Sequence, residues 1–239
     1  MTLDKQYLDL RNKYPYLYFY QERGLIRGTI FVEGEGFRDS YEVEIVIPAR
    51  YPQQLPRARE IGSIIPQTYH HNTPEDTLCL ETPFTIWEIF RQNETLLNYV
   101  DNLLVPYLSG YSYYLHHGIM PFGEHAHGAE GVIEDYKRRF NIESDLNTIG
   151  LLRIIVEDAY RGHLLCPCGS QISLRKCHGK ILLAMKAKGY EFTQDYIRSL
   201  DYFKKKGVNI APYISKHVQD VVSRMQNSSD KNNKKWGYL

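Results

Sequence analysis

The amino-acid sequence predicts an α+β protein: a helix and an antiparallel meander in the N-terminal half, and helices in the C-terminal half. Three observations carry this. Tyr41, Val43, Ile45 and Ile47 alternate with Glu42 and Glu44, the period-two pattern of a strand with one buried face. Short glycine-containing turns separate successive β-prone runs, which favours neighbouring antiparallel strands. Later in the chain the apolar residues recur every three to four positions instead.

In chain order, Leu3, Tyr7, Leu10 and Tyr14 are spaced for one face of a helix, with Asp4 in its first turn and Pro15 closing it. Tyr16 to Tyr20 is aromatic and β-prone, Glu22-Arg23-Gly24 is a turn, and Gly28 to Val32 is a second strand. Gly34-Glu35-Gly36 is the next turn, and the third strand runs until Pro48. From Tyr51 to Trp87 the chain is rich in proline and polar residues and holds no sustained period, a length that marks functional loops. Leu97, Val100, Leu104, Tyr107 and Leu108 fit a helix that Pro106 is expected to kink. A glycine- and histidine-rich piece, Gly118 to Gly131, follows. Beyond it Val132, Tyr136 and Phe140 share one helix face, and Thr148 is placed to cap a helix carrying Ile149, Leu152 and Val156. Further helices are expected around Ile181 to Met185, Tyr196 to Phe203 and Ile214 to Met225, before a polar, basic tail. This divides the chain into residues 1–117 and 118–239.

The chain has 239 residues, 29 basic and 28 acidic, for a formal net charge of +1. That balance implies no bulk attraction to nucleic acid or to a membrane surface; either would need a local patch. No apolar run is long enough for a membrane span and the N-terminus lacks a secretory pattern, so a cytoplasmic protein is expected.

Three of the four cysteines lie between Cys166 and Cys177, beside His178. In a reducing compartment such crowding argues for metal ligation, and Cys166, Cys168, Cys177 and His178 form two close-spaced pairs suited to tetrahedral zinc. The string Cys166-Pro167-Cys168-Gly169-Ser170, followed by Lys176-Cys177-His178, resembles the SEC-C zinc-binding motif, here residues 166–178. It departs at Gln171, where that motif usually has glycine. The resemblance implies zinc in a closed, structural site.

The fourth cysteine, Cys79, lies between two leucines after Tyr51-Pro52, Pro56 and His70-His71-Asn72, and before Trp87. This order and spacing, over roughly residues 1 to 115, resemble the ubiquitin-conjugating enzyme fold, with its first helix, four-stranded meander, Tyr-Pro-x-x-x-Pro turn, His-Pro-Asn element and Cys-Leu pair. His71 stands where that family has proline. The resemblance implies thioester chemistry on Cys79, oxyanion stabilisation by Asn72 and a loop-shaping His70. It implies as partners a ubiquitin-like modifier or the C-terminus of a cyclic-nucleotide synthase, as in antiphage systems of the CBASS type. The chain carries no nucleotide-binding glycine motif, so a separate activating enzyme is expected. Rival readings are a non-catalytic adaptor of the same fold and a zinc-dependent nucleic-acid binder. A metalloprotease reading of His125-x-His127 is incomplete, because Asp135 stands where a serine is required.

Overall fold

The structure is a computed structural model and describes residues 1–67, 69, 77–121, 126 and 128–213. Among the described residues the chain is mixed α and β, with a four-stranded antiparallel sheet and several helices. It divides into two compact units, Met1–His127 and Gly128–Leu239.

In the first unit α1 (Leu3–Lys13) begins at Thr2, whose hydroxyl accepts from the Lys5 N–H at 3.4 Å, and ends on Arg11 and Lys13, a charge order that suits the helix dipole. Its buried face carries Leu10 and Gln6. The strands follow as β1 (Leu17–Tyr20), β2 (Leu25–Gly34), β3 (Phe37–Val46) and β4 (Arg57–Glu60), hydrogen-bonded in sequence order. Register aligns Ile30 with Tyr41, Ile26 with Ile45, and Ile45 with Ala58, so one face of the sheet is apolar and buried. Gly28 is required where β1 crosses it: an added Cβ would lie 1.9 Å from the Tyr16 carbonyl oxygen. Both strands of the long hairpin exceed the runs legible in the sequence, and β4 falls in the segment where no period is visible.

Against that face pack α1 and a helix running from Leu96 to His117. This second helix is α3 (Leu96–Tyr99), a π-helical turn (Val100–Leu104) and α4 (Val105–His117). At this point the helix widens: the Val105 N–H bonds five residues back to the Val100 carbonyl, and helical structure continues through Pro106. Between β4 and α3 lies α2 (Pro83–Gln92), opened by proline in its first turn. Gln6, 5% exposed, ties the unit together: its Oε1 accepts from the Tyr51 hydroxyl at 2.6 Å and the Leu96 N–H at 3.0 Å.

The second unit contains α5 (Gly128–Phe140), α6 (Asp145–Val156), α7 (Gly179–Ala187) and α8 (Thr193–Lys205). The cap of α6 is Ser144, whose hydroxyl accepts from the Asn147 N–H at 3.3 Å. Thr148, expected in that role, is instead one turn inside, buried, and donates to the Ser144 carbonyl at 3.0 Å. The helix expected over Ile214 to Met225 lies outside the described residues.

Within this core Asp195 is 1% exposed and accepts on one oxygen from the hydroxyls of Tyr136 at 2.7 Å and Tyr190 at 2.9 Å. Burial raises its pKa, and the nearby Asp135 adds to the rise, against the opposing hydrogen bonds and Arg198. The folded chain therefore holds this proton more tightly than the unfolded chain. The stability that this group contributes is full below about pH 4, the ordinary carboxylate value, and is lost as pH climbs through the raised value. Asp195→Asn is expected to remove this fall of the unfolding midpoint with rising pH, measured by urea denaturation across the acid-to-neutral range.

Candidate functional site

The loop between α6 and α7 folds on itself as a hairpin: Leu165 and Ser173 form an antiparallel bridge, the Cys166 N–H donates to the Ile172 carbonyl at 2.8 Å, and the Leu174 N–H donates to the Leu164 carbonyl at 2.8 Å. This brings the first ligand pair beside the second. Cys166 Sγ lies 3.2 Å from His178 Nδ1, Cys177 Sγ lies 3.1 Å from the same atom, and Cys168 Sγ lies 3.5 Å from Cys177 Sγ. All four candidate ligand atoms fall within 4.8 Å of one another. Tetrahedral zinc, with bonds of about 2.3 Å to sulfur and about 2.0 Å to nitrogen, sets its ligand atoms roughly 3.5 Å apart. The four residues named from the sequence are thus together and can hold a metal ion.

The histidine is oriented for it. His178 Nε2 lies 2.8 Å from the Phe140 carbonyl oxygen, which can only accept, so Nε2 carries the proton and the Nδ1 lone pair faces the sulfurs. Asn147 steadies the other side, donating from Nδ2 to the Cys168 carbonyl at 2.8 Å. Neither contact was legible in the sequence, because a carbonyl and an amide on other helices leave no local pattern. Gly179, which follows the last ligand, has no room for a side chain: a Cβ would meet the Leu174 carbonyl oxygen and the Tyr160 hydroxyl, each at 2.7 Å.

The thiols are not alike. Burial pushes Cys166 up to about 12. At Cys168 burial also opposes ionisation, but hydrogen bonds from Ser170 and from the other thiols outweigh it and draw the group down to about 6. Of these two thiols, Cys168 is the readier to meet a cation as thiolate.

Gln171 adopts φ +60°, the left-handed region that glycine enters freely, and it is the position where the zinc motif usually has glycine. Gln171→Gly is expected to stabilise the second unit by about 0.5–1 kcal/mol, the removed strain less the added chain entropy, read by chemical denaturation.

In the first unit Cys79 follows Leu78, whose N–H donates to the Ala58 carbonyl of β4 at 2.8 Å. The bond hangs the residues before α2 on the sheet. Leu78 is buried and Cys79 is half-buried, so the thiol sits at the margin of the core. Tyr107 of α4 is its neighbour: burial raises that phenol above its ordinary value, and Tyr69 and Cys79 are the first electrostatic contributors to the rise. In the sequence Tyr107 reads only as a helix-face residue.

His70 and Asn72, with His71, lie outside the described residues, as do His125 and His127. Asp135 is a structural residue, 5% exposed and 2.9 Å from the Arg139 guanidinium. Among the described residues no helix is long and apolar enough to cross a membrane. In comparisons with known proteins, no family model matches the chain and no curated protein matches it.

Proposed function

We propose that the first unit is a ubiquitin-conjugating-type domain, that Cys79 is its nucleophile, and that the second unit is organised by zinc. The observation that carries the reading is the position of Cys79: half-buried, directly after a residue tied to the last strand of a sequential four-stranded meander, and before the helix that bears Trp87. In the same frame α1 precedes the sheet, and Tyr51, of the Tyr-Pro turn, bonds back to α1 through Gln6.

The chemistry is acyl transfer. The Cys79 thiolate attacks the carbonyl carbon of an activated C-terminal carboxyl, the activating group leaves, and a thioester forms. An amine on the acceptor then attacks that carbonyl, the thiolate leaves and takes up the proton given up by the nitrogen, and an amide results. Asn72 is assigned to the oxyanion of the second step, with His70 shaping its loop. The carboxyl belongs to a ubiquitin-like modifier or to a cyclic-nucleotide synthase, activated by a separate enzyme, in a bacterial antiphage setting. The four-ligand Cys3His site is closed, which suits zinc in a structural role and leaves no position for substrate.

The test is intact mass of the full chain purified together with the proteins of its own operon. An adduct on Cys79 that is released by thiol supports the reading and identifies the modifier. No adduct on the parent, and no oxyester on Cys79→Ser, leaves a non-catalytic adaptor.

A further inference from the structure

Lysine and arginine are not mixed evenly along this chain. Its 29 basic residues are 14 lysines and 15 arginines, yet from Tyr14 to Tyr136 there are seven arginines and no lysine. The lysines of the first unit are Lys5 and Lys13, both on α1, and the other twelve follow Tyr136.

The structure accounts for two of the seven arginines. Arg59 donates to Glu44 from both Nε and Nη2, and Arg91 pairs with Glu94 while lying 5.6 Å over the Trp87 ring, uses of a planar guanidinium that an ammonium fills poorly. Arg23, Arg27, Arg38, Arg50 and Arg57 are exposed and, among the described residues, take part in no ion pair. At those five positions a lysine would supply the same charge. What it would add is a nucleophile: a guanidinium stays protonated, whereas about one lysine amine in a thousand is free base near pH 7.5. That fraction matters beside a thioester, because a tethered amine is held at high effective concentration.

The two lysines the unit does carry lie away from Cys79. Lys5 precedes Gln6, which accepts from the Leu96 N–H at the start of the long helix, whereas Cys79 neighbours Tyr107, eleven residues further along. At 1.5 Å per residue that is about 16 Å of helix. Lys13 is held by Asp101 at 2.8 Å, its ammonium engaged in an ion pair. Helix α1 packs beside β1, where the Tyr7 and Phe19 rings lie 5.3 Å apart, and the bond from Leu78 hangs Cys79 on β4. Those two strands are opposite edges of the sheet, three spacings or about 14 Å apart.

We infer that the first unit is kept free of amines within reach of Cys79, so that an acyl group on this cysteine passes to a primary amine supplied from outside the unit. The inference rests on the conjugating reading of Cys79. An amine within reach would attack the thioester carbonyl carbon, the C–S bond would break, the thiolate would take up the proton given up by the nitrogen, and the acyl group would be stranded on the enzyme as an amide. Arginine keeps the charge of the surface and removes that reaction.

Placing an amine beside Cys79 tests this. Glu81 is exposed and two residues from Cys79, within about 7 Å along the chain. The zinc-loaded full chain, Glu81→Lys and Glu81→Arg are each acylated with the mercaptoethanesulfonate thioester of a short glycine-ended peptide, which exchanges onto a thiol and releases the small thiol. Intact mass and peptide mapping at pH 7.5 then follow the adduct. The parent and Glu81→Arg are expected to keep a thiol-labile adduct on Cys79, with no amide on Lys5 or Lys13. Glu81→Lys is expected to lose the thioester at least tenfold faster than Glu81→Arg, with the acyl group recovered as a thiol-resistant amide at position 81. The two variants change charge equally, so the difference reads the amine alone. Amide on Lys5 or Lys13 of the parent overturns the inference, as do equal thioester lifetimes in the two variants, and both results leave Cys79 as the nucleophile. Failure of Cys79 to take the acyl group in any of the three chains overturns the conjugating reading itself, and this inference with it.

Discussion

Replacing Cys166 by alanine is expected to cost the second unit its metal and most of its stability. Cys166 is 4% exposed, its N–H closes the hairpin on Ile172, and its sulfur lies beside the only ligand nitrogen. Structural zinc is worth about 10–16 kcal/mol in peptides that fold around it, so a loss on the order of 5 kcal/mol is expected in a unit that also has a helical core. Metal content by mass spectrometry should fall from one equivalent to none, and a separate, earlier unfolding transition should appear by calorimetry. A strong chelator should reproduce the transition in the parent chain. Cys79→Ala is the control and should leave metal content unchanged.

The second large effect is chemical. Cys79→Ala is expected to abolish adduct formation, at least a thousand-fold, because an alanine side chain carries no nucleophile. The thiol is half-buried, so the fold should lose about 1 kcal/mol or less. Cys79→Ser should instead accumulate an ester that survives thiol, since an alkoxide is a poorer leaving group than a thiolate. Unfolding midpoints of the three chains separate the roles: a residue that served packing alone would move stability and adduct yield together.

The metal cluster was the most legible feature, because its four ligands lie within thirteen residues and their spacing alone brings two pairs together. The third strand was nearly as clear. Other elements owe their existence to partners distant in sequence. Arg57-Ala58-Arg59-Glu60 has no strand pattern; it becomes β4 because Ala58 pairs with Ile45 and Arg59 donates to Glu44 at 2.6 Å. Helix α2 was hidden inside a proline-rich stretch, where Pro83 reads as a breaker but serves as an N-terminal residue. Thr148 fitted a cap by residue type, yet Ser144, one turn earlier, has the extended backbone a cap requires. Gln6 offered no sign that it would join Tyr51 to Leu96, because that junction forms only once three separate segments have met.

The wide turn at Val100–Leu104 has an implication for how relatives of this chain can diverge. A π turn is an ordinary helical turn that has absorbed one more residue, so the apolar faces on either side of it stay aligned with the sheet. Losing one residue here would restore an α-helical turn without rotating Leu108 and Tyr111 off the core, whereas the same loss one turn later would swing the remainder of α4 by about 100°. Pro106 supplies no N–H and crowds the carbonyl four residues before it, so an unwidened turn is a poor host for it. Chain length and proline at this point should therefore change together: lineages one residue shorter between Tyr99 and Val105 should carry another residue in place of Pro106.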